Sequence, residues 1–158
     1  MGCSSSKSTS AGNPRKGVVL GYFDGLRGGP RGNATKFLLN YCGVKYTDRK
    51  FPLGDGQKMW KAYKATGEVP FANLPYLIDG DFKITETLAV QQYICAKWKP
   101  ELLGSTPAEK AKIYQMTCLI YSAFVDKIIM PAFEKSDRDE CYDIAAAALT
   151  PIIERLES

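Results

Sequence analysis

The sequence has 158 residues, of which 45% are hydrophobic, and a formal net charge of +4 with both signs interspersed. This length buries one sizeable core or two small cores in contact, and the charge is too small and too scattered to indicate nucleic-acid binding. The chain contains no histidine, which excludes Ser-His and Cys-His catalytic pairs and every metal site that uses His.

The cysteines and the apolar runs indicate the compartment. The five cysteines are odd in number and widely spaced, at positions 3, 42, 95, 118 and 141. Most of them lie in apolar helical contexts, so we predict reduced thiols in a cytoplasmic protein rather than a disulfide framework. No apolar run reaches the roughly 20 residues that a membrane-spanning helix needs. We therefore predict that nothing in this sequence crosses a bilayer.

Residues 1–15 are rich in Ser and Gly and poor in apolar side chains. This composition predicts a flexible tail that does not join a folded core. Gly2 after the initiator Met, with Ser6 at the required spacing, fits the N-myristoylation pattern, and Cys3 is a candidate for palmitoylation. One myristoyl chain binds membranes only weakly, so Cys3 acylation and nearby basic residues would supply a second signal. A peripheral attachment to the cytoplasmic face of a membrane is predicted, and a chance motif in a disordered tail is the alternative.

An α/β unit is predicted over residues 16–99. The apolar run KGVVLGYF is typical of a buried strand, and the turn-rich loop GLRGGPRGN precedes a helix over Ala34 to Tyr41. KYTDRKF is predicted as a second strand, and residues 57–65 form a short helix closed by Gly67. PYLID and FKIT flank the turn GD, which indicates a hairpin.

The helix after this hairpin is predicted from its start signals. Thr85 is expected to cap it, and Glu86 suits its positive first turn. Its inward stripe consists of apolar and aromatic side chains, Ala89, Val90, Tyr93 and Ile94. The predicted order of elements is therefore βαβαββα.

Residues 104–158 have a purely helical pattern. Thr106, Pro107 and Glu109 form a capping box with Pro at the first helical position. Apolar residues then recur with helical period, at Ile113, Met116, Ile120, Phe124 and Ile128. A second helix is predicted from about Asp137, with a kink at Pro151. We expect both helices to pack on the α/β unit, which gives an α/β plus all-α fold class.

Four stretches resemble the cytosolic glutathione transferases, with the closest likeness to the mu class. They are VLGYFDG, MWKAYK, PFANLPYLIDGDFKITETLAVQQYI and TPAEKAKIYQM, in the family's order and near its spacings. The resemblance spans residues 16–158. It implies a thioredoxin-like glutathione-binding domain followed by a helical domain that helps to form the site of a hydrophobic co-substrate. Glutathione would then be a co-substrate, and no cofactor or metal is implied.

The resemblance assigns Tyr22 as the catalytic residue, whose hydroxyl donates a hydrogen bond to the glutathione sulfur. Phe23 beside it is included among the binding residues. A fixed donor that never loses its proton is consistent with a chain that lacks histidine. Considered without the resemblance, Tyr22 is an aromatic residue that closes a strand end in the core.

The remaining glutathione contacts come from three short motifs. The resemblance implies a cis peptide bond at Pro75, which presents the backbone of Leu74 to the cysteinyl amides, with Asn73 as the neighbouring contact. Glu86 would bind the γ-glutamyl amine, and Thr87, at a helix N-terminus, its carboxylate. Without the resemblance, both are ordinary helix-start residues.

Trp60 and Lys64 lie four residues apart on one helix face, a spacing that matches the mu-class contacts to the glycyl carboxylate. Both side chains are donors. A half-buried Trp beside a solvated Lys is the alternative.

Three features depart from the family. The loop GLRGGPRGN is longer than its mu-class equivalent. The chain stops at IIERLES, where the family continues for several helices, so we expect a shortened helical domain. The acid that a neighbouring subunit supplies in the family has no match, although Ser122 and Asp126 lie nearby, and a homodimer is implied by resemblance alone. The predicted function is a transferase that conjugates glutathione to hydrophobic electrophiles. The alternative is a non-catalytic binding or scaffold module tethered to a membrane.

Overall fold

A four-stranded mixed sheet lies at the centre of the α/β unit. The computed structural model describes residues 17–24, 30–52, 54–125 and 138–157. The strands are β1 (Val18–Phe23), β2 (Tyr46–Phe51), β3 (Tyr76–Asp79) and β4 (Phe82–Thr85). Their order across the sheet is β2-β1-β3-β4, with β1 parallel to β2 and antiparallel to β3, and β3 antiparallel to β4.

Helices connect and follow these strands. They are α1 (Pro30–Tyr41), α2 (Gly56–Ala65), α3 (Thr87–Trp98), α4 (Pro107–Phe124) and α5 (Arg138–Glu157), with a 3-10 turn at Pro100–Leu103. The parallel pair β1 and β2 is joined through α1, as a crossover requires. The βαβαββα order and the helical region after it confirm the predicted fold class.

Apolar side chains pack on both faces of the sheet. One cluster joins the sheet to α1 and α3 and contains Leu20, Leu39, Leu77, Val90 and Ile94, all fully buried. The other joins the sheet to α2 and contains Tyr22, Phe51, Val69, Leu74, Tyr76 and Ile78. In β3 the alternation of a strand sends Leu77 to the first cluster and its two neighbours to the second. Tyr22 and Leu74 both belong to this second cluster.

The start of α1 differs from the prediction. The helix begins at Pro30 rather than Ala34, so residues 30–33 belong to its first turn and not to the preceding loop. Proline at the first helical position loses no hydrogen bond, and its fixed φ suits the helix. The correction brings Arg31 and Gly32 onto a helix that faces β1.

The predicted cap of α3 is wrong. Thr85 is the last residue of β4 and its buried hydroxyl donates to the Phe71 carbonyl oxygen at 3.2 Å. Glu86 takes the N-cap position instead, with φ 68° and ψ 120°, and its side chain caps no helix N–H. The first turn of α3 therefore carries no acidic residue. The buried positions of this helix include Val90 and Ile94, as predicted.

The capping box of α4 is confirmed. The Glu109 N–H donates to Thr106 Oγ1 at 3.2 Å, and the Thr106 N–H donates back to Glu109 Oε2 at 3.1 Å. The apolar period of this helix does not mark a fully buried face, because Ile113 is 37% and Ile120 is 48% exposed. Helix α5 continues through Pro151.

Several predictions fall outside the described residues. These are the tail with Gly2 and Cys3, the end of the apolar stripe at Ile128, and Asp126. Within the described ranges, none of the helices has both the length and the apolar character that a membrane crossing requires.

Candidate functional site

The Asn-Leu-Pro corner has the backbone form that the sequence motif predicts. The peptide bond between Leu74 and Pro75 is cis. The Leu74 N–H donates to the Asn73 side-chain oxygen at 2.9 Å, and Leu74 itself is only 8% exposed. The side-chain amide of Asn73 thus fixes the corner from one side, while the apolar cluster holds Leu74 from the other.

Asn73 also links this corner to the start of α3. Its Nδ2 donates to Glu86 Oε1 at 2.7 Å across 13 residues of sequence. Glu86 is exposed, and its φ of 68° lies in the region that favours glycine. Such backbone strain is found where the surrounding structure fixes a functional side chain. The Asn-Leu-Pro corner and the start of α3, both predicted from the sequence to bind a ligand, are therefore linked through the exposed carboxylate of Glu86.

Thr87 is the first residue of α3, and 5% of it is exposed. The first N–H groups of a helix have no partner within it and carry partial positive charge, so the N-terminus favours an anion. Glu86 and Thr87 thus present a carboxylate and a set of N–H donors at the same place. That pairing suits a ligand with an amine and a carboxylate on one carbon.

Tyr22 lies near the end of β1, one residue beyond the pair Gly21 and Tyr76 that joins β1 to β3. Tyr22 is 9% exposed, and it belongs to the same apolar cluster as Leu74. Gly32 of α1 allows this packing, since a Cβ there would lie 2.2 Å from Tyr22 Cδ1. Tyr22, the predicted catalytic residue, and Leu74 of the cis-proline corner therefore belong to the same apolar cluster.

Electrostatics keep the Tyr22 phenol protonated. Burial raises the pKa of its hydroxyl above the ordinary value, the positive charge of Arg31 opposes this rise, and Tyr121 adds to it. A protonated phenol donates a hydrogen bond, which is the role that the sequence motif predicts.

Arg31 and Tyr121 are two site residues that the sequence motifs do not indicate. The Arg31 guanidinium lies 5.9 Å from the centre of the Tyr121 ring. The Tyr121 hydroxyl lies 3.4 Å from Thr87 Oγ1 and donates to it. Pro30 is the sequence signal that would have placed Arg31 on a helix. Tyr121 has no such signal, because it sits within an apolar helical stripe.

Three further predicted binding residues have no described contact with Asn73 or Glu86. They are Trp60, Lys64 and Phe23. Trp60 stacks on Tyr76 with ring centres 6.0 Å apart and meets the edge of Phe51. Lys64 is exposed on the same helix. Phe23 packs edge to face against Tyr22 at 6.2 Å. Both Trp60 and Phe23 also pack against the second apolar cluster, and none of their described contacts joins them to Asn73 or Glu86.

Comparison with known proteins decides the family. The model of the glutathione S-transferase N-terminal domain matches residues 18–96, which is half of the chain. The chain belongs to the glutathione S-transferase family. The matched region contains the whole sheet, the cis-proline corner and the start of α3, and it confirms the predicted family.

Relatives that this glutathione S-transferase family member resembles include proteins of the mu class. The chain is 37% identical over 100 residues to glutathione S-transferase Mu 4 of Mus musculus, a match that covers 61% of this chain and 44% of that protein. It is 40% identical over 79 residues to the class-mu 26 kDa isozyme of Schistosoma mansoni, covering 50% and 39%. The chain thus matches about two fifths of the length of these relatives.

Solved structures of the family show the same fold. A nematode-specific glutathione S-transferase of C. elegans superimposes with a TM-score of 0.64 at 20% identity, covering 89% of this chain and 68% of that one. A glutathione S-transferase of the silkworm Bombyx mori gives a TM-score of 0.63 at 21% identity, covering 84% and 63%. This agreement extends beyond the sheet into the helical region.

Proposed function

We propose that this glutathione S-transferase family member is an enzyme that binds glutathione and activates its thiol for attack on a hydrophobic electrophile. The observation that carries the proposal is that Tyr22 and Leu74 belong to one apolar cluster, while Asn73 links the cis-proline corner to Glu86 by a hydrogen bond. A sulfur held against the Leu74 backbone would then lie near the Tyr22 hydroxyl.

One hydrogen bond from a phenol can supply the free energy that thiol activation requires. A free thiol has a pKa of about 8.5, and lowering it by about two units requires roughly 2.7 kcal/mol of preferential stabilisation of the thiolate. A hydrogen bond to a charged group contributes roughly 1.5 to 3 kcal/mol. The positive charge of Arg31, which acts on the same hydroxyl, adds to this stabilisation.

The other proposed contacts are made to the cysteinyl, γ-glutamyl and glycyl parts of glutathione. The backbone of Leu74 would pair with the cysteinyl amides, as an added strand does. Glu86 would accept from the γ-glutamyl amine, and the N-terminus of α3 at Thr87 would bind the adjacent carboxylate. Trp60 and Lys64 would donate to the glycyl carboxylate, a role for which the exposed ammonium of Lys64 is better placed than the stacked indole of Trp60.

Binding and turnover test the proposal together. We expect the wild-type chain to be retained on immobilised glutathione and to conjugate an aromatic halide. Tyr22→Phe should keep retention but lower kcat/KM by about 10- to 100-fold, the value of one charge-assisted hydrogen bond. Tyr41→Phe is the matched control, because Tyr41 is 67% exposed at the far end of α1.

Three outcomes separate the alternatives. Retention without turnover in any variant would indicate the scaffold module. Loss of retention in the wild type would refute both glutathione hypotheses. Equal turnover by wild type and Tyr22→Phe would refute the assignment of the catalytic phenol.

A homodimer is part of the proposal. Phe71, two residues before Asn73, is 94% exposed with φ 50°, and its carbonyl is held by the Thr85 hydroxyl. A large apolar ring fixed outward in this way suits burial against a second copy of the chain. Sedimentation should give a dimer for wild type and a monomer for Phe71→Ser, and a monomeric wild type would contradict this assembly.

Peripheral attachment to the cytoplasmic face of a membrane is the last part of the proposal. It rests on the sequence motif at Gly2 and Cys3 and on the need for two acyl signals. Gly2→Ala should move the protein from the membrane fraction to the cytosolic fraction of a cell lysate, and Cys3→Ser should do so in part. Equal partition of wild type and Gly2→Ala would refute the anchor.

A further inference from the structure

Tyr121 is the residue through which the helical region reaches the site. It lies in the last turns of α4, and its side chain touches two helices of the α/β unit. Its hydroxyl donates to Thr87 Oγ1 at the start of α3, and its ring faces the Arg31 guanidinium at the start of α1. One side chain thus joins α1, α3 and α4 beside Tyr22.

We propose that Tyr121 is a positioning residue for glutathione, which holds Thr87 through its hydroxyl and Arg31 through its ring. The proposal rests on the glutathione transferase function proposed above and extends it to a residue of the helical region. It predicts that the two contacts serve different parts of the ligand, and each contact can be removed separately.

The hydroxyl contact acts on the γ-glutamyl end. Thr87 is 5% exposed, so its side chain has little contact with water and the Tyr121 hydroxyl is its described side-chain partner. Fixing Thr87 fixes the first turn of α3, whose N–H groups would receive the carboxylate. Because the hydrogen bond is long, its loss should have a small effect on the affinity for glutathione.

The ring contact acts on the sulfur end. A guanidinium over an aromatic face is held by the charge distribution of the ring, and the attraction is stronger where water is excluded. Arg31 precedes Gly32, which packs directly on the Tyr22 ring. Arg31 and Tyr121 are also the described charged or titratable groups that act on the Tyr22 hydroxyl. Without the ring, Arg31 is free to turn toward water and its charge stabilises a thiolate less.

Two substitutions separate these effects. Tyr121→Phe keeps the ring and removes the hydroxyl, so the Kd for glutathione should rise about two- to threefold with no change in the thiol titration. Tyr121→Leu removes both, so the titration midpoint of bound glutathione, followed by the ultraviolet absorbance of its thiolate, should rise by about half a pH unit.

Two double variants and one control identify the contacts. Tyr121→Phe should have no further effect on Kd in a Thr87→Val background, and Tyr121→Leu should cause no further shift of the midpoint in an Arg31→Met background. Tyr114→Phe is the control, since Tyr114 lies two turns earlier on the same helix and is 51% exposed. It should match the wild type in both measurements.

The results distinguish this inference from the proposed function. Wild-type binding together with an unshifted midpoint in Tyr121→Leu and an unchanged Kd in Tyr121→Phe would overturn the role of Tyr121 and leave the function standing. If Tyr121→Leu does not fold, the Kd for glutathione of Tyr121→Phe, measured alone and in the Thr87→Val background, tests the role of Tyr121. A wild type that does not bind glutathione overturns both.

Discussion

The α/β unit and the helices after it differ in how much of their apolar surface they bury. The largest fully buried side chains of the described residues all lie between residues 20 and 94: Tyr76, Leu20, Leu39, Leu77, Ile94, Val90, Thr35 and Pro75. In the helical region the buried apolar side chains of the described residues are Ala123 and Val125. Exposed large apolar side chains occur in both regions, such as Phe37 and Met59 in the α/β unit and Leu119 and Ile120 in the helical region. The first region has a core of its own, whereas the helical region has few buried apolar side chains among the described residues and contacts the α/β unit through Tyr121.

This difference explains how the site is built. A packed interior fixes side chains within small tolerances, so the residues of the proposed glutathione site come from the region with the complete core. The helical region adds Tyr121, which reaches across to Thr87 and Arg31. The positions of the site's side chains should therefore depend on the α/β unit. The helical region should adjust them only through the contacts of Tyr121.

The largest expected effect contrasts the two regions directly. Leu20→Ala empties a fully buried position in β1 and should lower the free energy of unfolding by about 2 to 5 kcal/mol. Ile120→Ala removes a side chain that is 48% exposed and should cost about 1 kcal/mol or less. Urea unfolding of both variants measures the difference. Equal costs would show that α4 is packed as tightly as the sheet.

A smaller effect is expected on glutathione affinity, without a matching effect on the stability of the fold. Glu86→Gly should leave the free energy of unfolding within about 0.5 kcal/mol of wild type, because relief of the positive φ offsets the lost hydrogen bond to Asn73. Glutathione affinity should fall about five- to tenfold, since the amine loses its carboxylate. Calorimetric titration measures it. Glu101→Ala, which removes an exposed carboxylate paired with Lys99 at 3.5 Å, should change neither quantity, and unchanged affinity in Glu86→Gly would place the amine elsewhere.

The smallest effect is on acid stability. Burial raises the pKa of Asp79, but hydrogen bonds from Lys97 and Tyr93 outweigh it and lower the pKa below the ordinary aspartate value. A lowered folded-state pKa stabilises the fold above the unfolded-state pKa, and this contribution is lost as the pH falls through the folded-state value. Asp79→Asn should therefore weaken the α/β unit by about 1 kcal/mol or less at neutral pH and flatten its decline below about pH 4. An unchanged acid transition would contradict this origin.

The same mechanism operates in the helical region through Glu109. Hydrogen bonds from the backbone N–H groups of Ser105 and Thr106 lower its pKa. The start of α4 should therefore loosen over the same acidic range, which amide hydrogen exchange of that helix measures as a function of pH.

Much of the α/β unit was predictable because its signals are local. The hairpin around Gly80, the closing Gly67 and the alternation in β3 each depend on a few neighbouring residues. The start of α1 was less predictable, because Pro30 follows a glycine-rich stretch that is also typical of a loop. Thr85 has the chemistry of a cap, yet its hydroxyl bonds to Phe71, a partner 14 residues earlier in sequence.

The candidate site also contains a part that the sequence predicts and a part that it does not. The corner at Leu74 and Pro75 and the start of α3 could be recognised from the motif, since its residues are close in sequence. The contact between Tyr121 and Thr87 spans 34 residues, and the approach of Arg31 to the same ring depends on how α1 and α4 pack. Sequence spacing carries no information on contacts of this kind.

The proposed function requires the Tyr22 hydroxyl to donate a hydrogen bond to the sulfur of bound glutathione. Its most direct test is the titration of that thiol, followed by thiolate absorbance, in wild type and in Tyr22→Phe at saturating glutathione. We expect a midpoint about two pH units below that of free glutathione in wild type, and the loss of most of that shift in Tyr22→Phe. The same midpoint in both proteins would contradict it.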